Sequence, residues 1–219
     1  MCASFASIAG LRNMRSQSST NLQTVGSWLG RILRFDFTAF DEIRANPSAT
    51  NAALVLVFAA SLMAGLGSWL WAVLSRGVEI DETDVFVKSL LAGSILQTGV
   101  WLGWVYIAYW VLVGAYHVRV SFVELLRTMG FSFVPVSLSI LVFIGALAVP
   151  IGLISFAGAV LLSNVAIQQA SDADAGEAIL ANVAGFTLFC VVMGVLANVL
   201  EVDPFGGLAP GIFFFELDI

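Results

Sequence analysis

Five long stretches of this chain are apolar enough to lie in a lipid bilayer, and almost no ionisable side chain interrupts them. The hydrocarbon core of a bilayer is about 30 Å thick, and a helix needs roughly 20 apolar residues to cross it. The third and fourth stretches are shorter than the others and meet at Pro150. The pattern predicts an all-α polytopic membrane bundle with transmembrane segments at 52–74, 89–113, 131–149, 151–167 and 179–200.

The composition agrees with a membrane domain. Hydrophobic residues make up 59% of the chain and charged residues 11%, whereas a soluble domain has about 45–50% apolar and roughly 25% charged residues. A soluble chain of 219 residues could not hide so much apolar surface. The formal net charge is −6, but no basic run is present, so we expect no nucleic-acid partner.

The segment before the first span divides into two parts. Residues 1–21 are rich in polar side chains, and we expect a disordered tail there. Residues 22–46 are the predicted interfacial segment; its apolar residues from Leu22 to Leu33 recur at helical spacing, and Arg31 and Arg34 lie on the opposite face. This pattern predicts an amphipathic helix on a membrane face, with Trp28 at the interface and the arginines among lipid phosphates. A helix packed on the protein's own surface remains the alternative.

The membrane bundle is predicted over residues 47–200, followed by a C-terminal tail at 201–219. Gly99 and Gly103 have the small-xxx-small spacing that lets two helices approach closely. We expect these glycines to pack against another helix of the same chain, with dimerisation as the less favoured alternative.

A short interfacial helix is predicted before the third span. Ser121 and Glu124 have the spacing of a capping box, and Arg127 is placed to pair with Glu124. We expect this helix to end at Gly130. Pro135 then predicts a kink in the third span, because proline removes a helical hydrogen bond and clashes with the preceding turn.

Basic residues in short loops predict the orientation. Five crossings place the N-terminus on the cytoplasmic side, and we expect the inner membrane of a prokaryote. The third and fourth segments could instead form a re-entrant hairpin around Pro150, or merge into one crossing that leaves the C-terminal tail inside.

The chain offers little catalytic chemistry. The single histidine, His117, lies at the mouth of a loop and is expected to be a polar anchor. The strongest polar side chains within the predicted spans are amides, for which interhelical hydrogen bonding is the simplest explanation; they are Gln97, Asn164, Asn182 and Asn198. We find no catalytic motif, no metal-ligand spacing and no cofactor motif, so an enzyme is not expected.

Three blocks of the sequence resemble the Yip family of five-span membrane proteins, whose eukaryotic members interact with Rab-type GTPases. The blocks are FDEIRANP at 40–47, SFVELLRTMGFSFVP at 121–135, and the acidic loop and Ala-rich helix at 165–184. The resemblance covers about residues 35–200 and implies a five-span fold with a non-catalytic role. The acidic-aromatic motif of the eukaryotic members is missing, so the resemblance does not support Rab binding and is closest to the prokaryotic members.

Three functions are compatible with these features. The leading hypothesis is a Yip-like scaffold or assembly factor that contacts the lipid bilayer and membrane-protein partners through residues 22–34 and 121–130. The second is an accessory subunit of a large respiratory or photosynthetic complex. The third is a small channel or transporter lined by Gln97, Asn164 and Asn182.

Overall fold

The computed structural model of the chain describes residues 22–75, 83 and 86–199. Within these ranges the fold is all-α and contains no strand. The tail predicted at 1–21 and the one predicted at 201–219 lie outside the described residues. The helices are α1 (Leu22–Ile32), α2 (Ala39–Ala45), α3 (Ala49–Ser75), α4 (Gly93–Trp110), α5 (Phe122–Ser132), α6 (Ala148–Ala170) and α7 (Ala175–Val199).

Four helical segments of other geometry join or extend these α-helices. Two π-helical segments, Phe86–Ala92 and Val111–Ala115, flank α4. A 3₁₀-helix at Val134–Phe143 continues α5, and a single 3₁₀ turn at Gly145–Leu147 precedes α6.

Five helices of the described chain are long and apolar enough to cross a membrane, which confirms the predicted bundle of five segments. They are Ala49–Leu74, Phe86–Ala115, Phe122–Phe143, Ala148–Ala170 and Ala175–Leu196. The third of these, Phe122–Phe143, is called the third span below.

The third span begins nine residues earlier than the predicted start at 131, because Gly130 does not end the preceding helix. α5 runs through Gly130 to Ser132, and the chain then continues as the 3₁₀-helix that contains Pro135 near its start. The helix therefore changes from α to 3₁₀ geometry next to Pro135, and the predicted kink stays a prediction. The α-helical part adds about 16 Å and the 3₁₀ part about 20 Å, which together exceed the roughly 30 Å of the hydrocarbon core.

The break between the third and fourth segments is confirmed, but it lies just before Pro150 rather than at it. Ile144 has extended backbone angles, and the turn at Gly145–Leu147 leads into α6. Pro150 lies in the first turn of α6. Proline is tolerated there because the first N–H groups of a helix have no partner within the helix.

The closest helix packing joins α3 to the third span. A Cβ on Gly130 would lie 2.6 Å from the Cβ of Ala53, and a Cβ on Gly67 would collide with the carbonyl oxygen of Ser139. The two segments therefore run in parallel. Small residues buried on α3 make this approach possible, and they lie four or seven positions apart at Ala49, Ala53, Ala60, Ala64 and Ser68.

The prediction that Gly99 packs against another helix of this chain is wrong. A Cβ on Gly99 would meet nothing within 4 Å, and one on Gly103 would make only ordinary contact with Leu188 at 3.7 Å. The tight position between α4 and α7 is Gly185, where an added Cβ would collide with Trp104.

Aromatic rings fill the centre of the bundle. Trp104 lies 5.1 Å from Phe186 and 5.7 Å from Phe189, and Trp101 lies 6.1 Å from Phe133, measured between ring centroids. Both tryptophans are fully buried. They therefore belong to the core, whereas Trp110, on the same helix, is largely exposed.

Candidate functional site

Of the two segments that the sequence singled out, residues 22–34 contact α5 at Phe131, and residues 121–130 contact α2 through Glu124. We call the surface formed by α1, α2, the connection at 33–38 and the first turns of α5 the head surface. Its parts are held together by a buried tryptophan, Trp28, and by three arginines, Arg31, Arg44 and Arg127.

Trp28 attaches α1 to the bundle. Its indole is 3% exposed and packs edge-to-face on Phe131 of α5, with ring centroids 5.6 Å apart. The indole Nε1 donates a hydrogen bond to Glu42 Oε2 at 3.0 Å. The prediction that Trp28 lies at the lipid interface is therefore wrong, because the apolar face of α1 packs on the protein's own surface.

Arg31 connects α1 to the chain that follows it. Its guanidinium donates to Asp36 Oδ2 at 2.8 Å, to Glu42 Oε1 at 2.6 Å and to Thr38 Oγ1 at 2.7 Å. These partners lie within the protein, and the expected placement of Arg31 among lipid phosphates stays a prediction. Arg34 is exposed, and the structure gives its side chain no hydrogen bond or ion pair among the described residues.

Hydrogen bonds within the head lower the pKa of both acids, Asp36 and Glu42. The pKa of Glu42 lies below its usual value because its carboxylate accepts hydrogen bonds from Arg31 and then from Trp28. The pKa of Asp36 is lowered by hydrogen bonds from Thr38 and then from Arg31. Both carboxylates are therefore stabilised in the charged form in the docked head.

Two further arginines join α2 to α5 and α6. Arg44 Nε lies 3.4 Å from Glu124 Oε1, and Arg44 Nη1 donates to the carbonyl oxygen of Gln169 at 3.4 Å. Arg127 donates to Thr50 Oγ1 at 2.8 Å and to the carbonyl oxygen of Arg44 at 2.9 Å. The predicted Glu124–Arg127 pair is wrong, because Glu124 pairs with Arg44 and Arg127 donates to the backbone of Arg44 and to Thr50 at the start of α3.

The capping box at the start of α5 is confirmed. The backbone N–H of Glu124 donates to Ser121 Oγ at 3.2 Å, and the backbone N–H of Ser121 donates to Glu124 Oε2 at 3.0 Å. The start of α7 has the same arrangement between Asp174 and Glu177. Glu124 thus both caps its own helix and holds Arg44.

The end of α1 was not predicted from the sequence, and there Phe35 has a positive φ of 61°. The N–H of Asp36 donates to the carbonyl oxygen of Arg31 at 3.0 Å, and the N–H of Phe35 donates to the carbonyl oxygen of Ile32 at 2.9 Å. This is the Schellman motif, whose left-handed position glycine usually occupies. Because Phe35 replaces the usual glycine, no sequence signal indicated the cap.

The Phe35 ring is exposed although its backbone is strained. The residue is 79% exposed, and its neighbour Leu33 is 69% exposed. The ring contacts Phe37 edge-to-face, with centroids 6.2 Å apart. The head surface therefore presents two large apolar side chains beside the exposed cation of Arg34.

The interior amides occupy different environments. Asn182 accepts from Trp104 Nε1 at 3.2 Å and donates to the carbonyl oxygen of Val160 at 2.8 Å, so it joins three helices as expected. Gln97 Nε2 and Asn164 Oδ1 are buried without a hydrogen-bond partner among the described residues. The side chain of Asn198 lies outside the described part of the structure.

No group of three or more His, Cys, Asp or Glu side chains is placed to hold a metal ion within residues 22–75, 83 and 86–199. Comparison with known proteins finds no matching family model, no matching curated protein and no matching solved structure. The resemblance to the Yip family therefore stays a prediction.

Proposed function

We propose that this chain is a non-catalytic membrane scaffold or assembly factor that contacts a membrane-protein partner through its head surface. Phe35 is the observation that carries the proposal. A non-glycine residue in the left-handed region costs roughly 1 kcal/mol or more, and burial of its own ring does not offset that cost, because the ring is 79% exposed.

The docking of the head supports the same proposal. Trp28, Arg44 and Arg127 fix α1 and α2 against the bundle, and Arg31 joins α1 to α2. A surface held in one conformation loses less entropy when it binds than a mobile segment does. The head surface is therefore organised for contact, with Leu33, Arg34 and Phe35 at its exposed edge.

Phe35→Gly tests this function because stability and assembly should change in opposite directions. Glycine relieves the strain at the end of α1, so we expect the last turn of this helix to become more stable by about 1 kcal/mol. We also expect the native complex to be lost, as measured by the size of the assembly on native gels after mild solubilisation. Leu22→Gly, at a position that is 90% exposed, is the matched control. A variant that is more stable and still fully assembled would contradict the proposal.

The orientation and location proposed for the protein follow from the distribution of basic residues. The head, with Arg31, Arg34 and Arg44, would lie on the cytoplasmic side of a prokaryotic inner membrane. The Yip-like character is part of the same proposal, without a Rab-type GTPase as partner.

A second candidate, an accessory subunit of a larger membrane complex, is favoured by the outer face of α4. Ile95, Tyr106 and Trp110 are more than half exposed there, and Gly99 faces open space. A helix of another subunit could approach closely at Gly99. Purification in mild detergent tests this candidate, which predicts a stoichiometric complex that carries cofactors and is lost in Gly99→Leu. Recovery of the chain without such a complex would contradict it.

A further inference from the structure

A layer of polar side chains lies near the middle of the first and second spans. Ser94 Oγ donates to the carbonyl oxygen of Ser61 at 3.2 Å, and Thr98 Oγ1 lies 3.4 Å from Ser61 Oγ. These contacts satisfy the hydroxyl groups on the face that joins α3 and α4.

Two N–H groups in the same region have no acceptor. Gln97 is 1% exposed and Trp101 is fully buried, and Gln97 Nε2 and Trp101 Nε1 have no hydrogen-bond partner in the described part of the chain. The residues are four positions apart on α4, so their side chains lie on the same face of this helix. The neighbouring indole of Trp104 differs, because its N–H is bonded to Asn182.

An unpaired N–H in a membrane interior is costly, because neither water nor lipid tails can accept its hydrogen bond. Each of these two groups therefore requires an acceptor, and both lie on adjacent turns of one face of α4. Because α3 and α4 contain no charged residue, and α7, which packs on α4, contains only Glu177 in its first turn, an ion would have no countercharge there. A neutral oxygen atom fits both the donors and the absence of charge.

We propose that Gln97 and Trp101 bind a neutral acceptor oxygen inside the bundle, supplied by an internal water or by the carbonyl or hydroxyl group of a small polar ligand. The oxygen receives one hydrogen bond from the Gln97 amide and one from the Trp101 indole. This site is independent of the head surface, and loss of partner binding by the head would leave it unchanged.

The indole N–H resonances of the full chain in lipid nanodiscs test the proposal directly. Trp104 provides the internal reference for a hydrogen-bonded indole. We expect the Trp101 resonance to lie downfield, near that of Trp104, and to move upfield in Gln97→Met. A Trp101 resonance that is already upfield in the wild type and unchanged by the substitution would overturn the proposal.

Thermal stability gives a second readout, because a filled site and an empty site predict changes in the Tm of opposite sign for Gln97→Met. If an oxygen is bound, Gln97→Met removes one of its donors and lowers the Tm. If the amide is unpaired, the apolar replacement relieves a buried polar group and raises the Tm, which would overturn the proposal. Asn182→Leu is the reference for loss of a paired amide and should lower the Tm.

The source of the oxygen is distinguished by its exchange with solvent. A cross-relaxation signal between the Trp101 N–H and the water resonance indicates an internal water. Absence of that signal, together with a small molecule released on denaturation and identified by mass spectrometry, indicates an organic ligand. Absence of both would overturn the proposal.

Discussion

Replacing Trp28 with alanine should release the head from the bundle without unfolding the membrane helices. The indole is 3% exposed, packs 5.6 Å from the Phe131 ring and donates to Glu42 at 3.0 Å. Truncation of a buried tryptophan costs about 3–5 kcal/mol. Since about 1.4 kcal/mol corresponds to a tenfold change in an equilibrium constant, the docked state should be disfavoured by at least about a hundredfold.

Hydrogen exchange followed by mass spectrometry measures this change segment by segment. We expect protection of residues 22–45 to fall in Trp28→Ala by about a hundredfold or to the limit of an unprotected chain, while α3, α4 and α7 keep theirs. Trp28→Phe retains an aromatic ring and loses only the N–H, so we expect a loss of about 1 kcal/mol. Leu22→Ala, at a position 90% exposed, should change nothing. Wild-type protection of α1 in Trp28→Ala would refute the docking, and equal loss in all helices would refute the separation of head and bundle.

Three further predictions address packing, capping and charge. Gly67→Ala should lower the Tm, with a cost of about 1–3 kcal/mol from overpacking, because the added Cβ would collide with a backbone carbonyl. Gly99→Ala is the control: its added Cβ meets open space, so the Tm should stay within about a degree or two of the wild type. Ser121→Ala removes the cap of α5 and should cost about 1 kcal/mol in thermal unfolding, and a cost near zero would contradict the role of the capping box. The pKa values of Asp36 and Glu42 are lowered in the docked head. These carboxylates therefore contribute their full stabilisation of the docked head at a pH above their ordinary pKa values, and this stabilisation is lost as the pH falls through the lowered pKa values. Carboxyl carbon titration by NMR should show both lowered values, and ordinary values would contradict the contacts drawn here.

The spans could be predicted from the sequence because their signal is local. A run of about 20 apolar residues can hardly be satisfied outside a bilayer or a large core, and the five segments follow from it. The capping box at Ser121 depends only on residues three positions apart, so it too was predicted correctly. The end of α5 was misplaced because Gly130 is required by its approach to Ala53, not by a turn.

The contacts that build the head surface depend on the tertiary fold and could not be predicted from spacing. Glu124 and Arg127 have the right spacing for a pair, yet Arg44 and Thr50 lie within reach and compete successfully. The sequence of an amphipathic helix with a tryptophan is compatible with packing on lipid and with packing on protein. The Phe131 ring lies where the Trp28 indole can pack on it, so this helix packs on the protein. For Phe35 the sequence indicates the opposite of what is observed, because glycine is the usual residue at such a cap.

The claim that the docked head surface contacts a partner is tested most directly by a photoreactive phenylalanine analogue at position 35 in the native membrane. It is introduced into the wild-type chain and into Trp28→Ala, with a matched probe at Ile154, which is 62% exposed on α6. We predict a discrete protein adduct from position 35 in the wild type, its loss in Trp28→Ala, and no such adduct from position 154. Lipid adducts alone from position 35, or the same protein adduct with and without a docked head, would contradict the account.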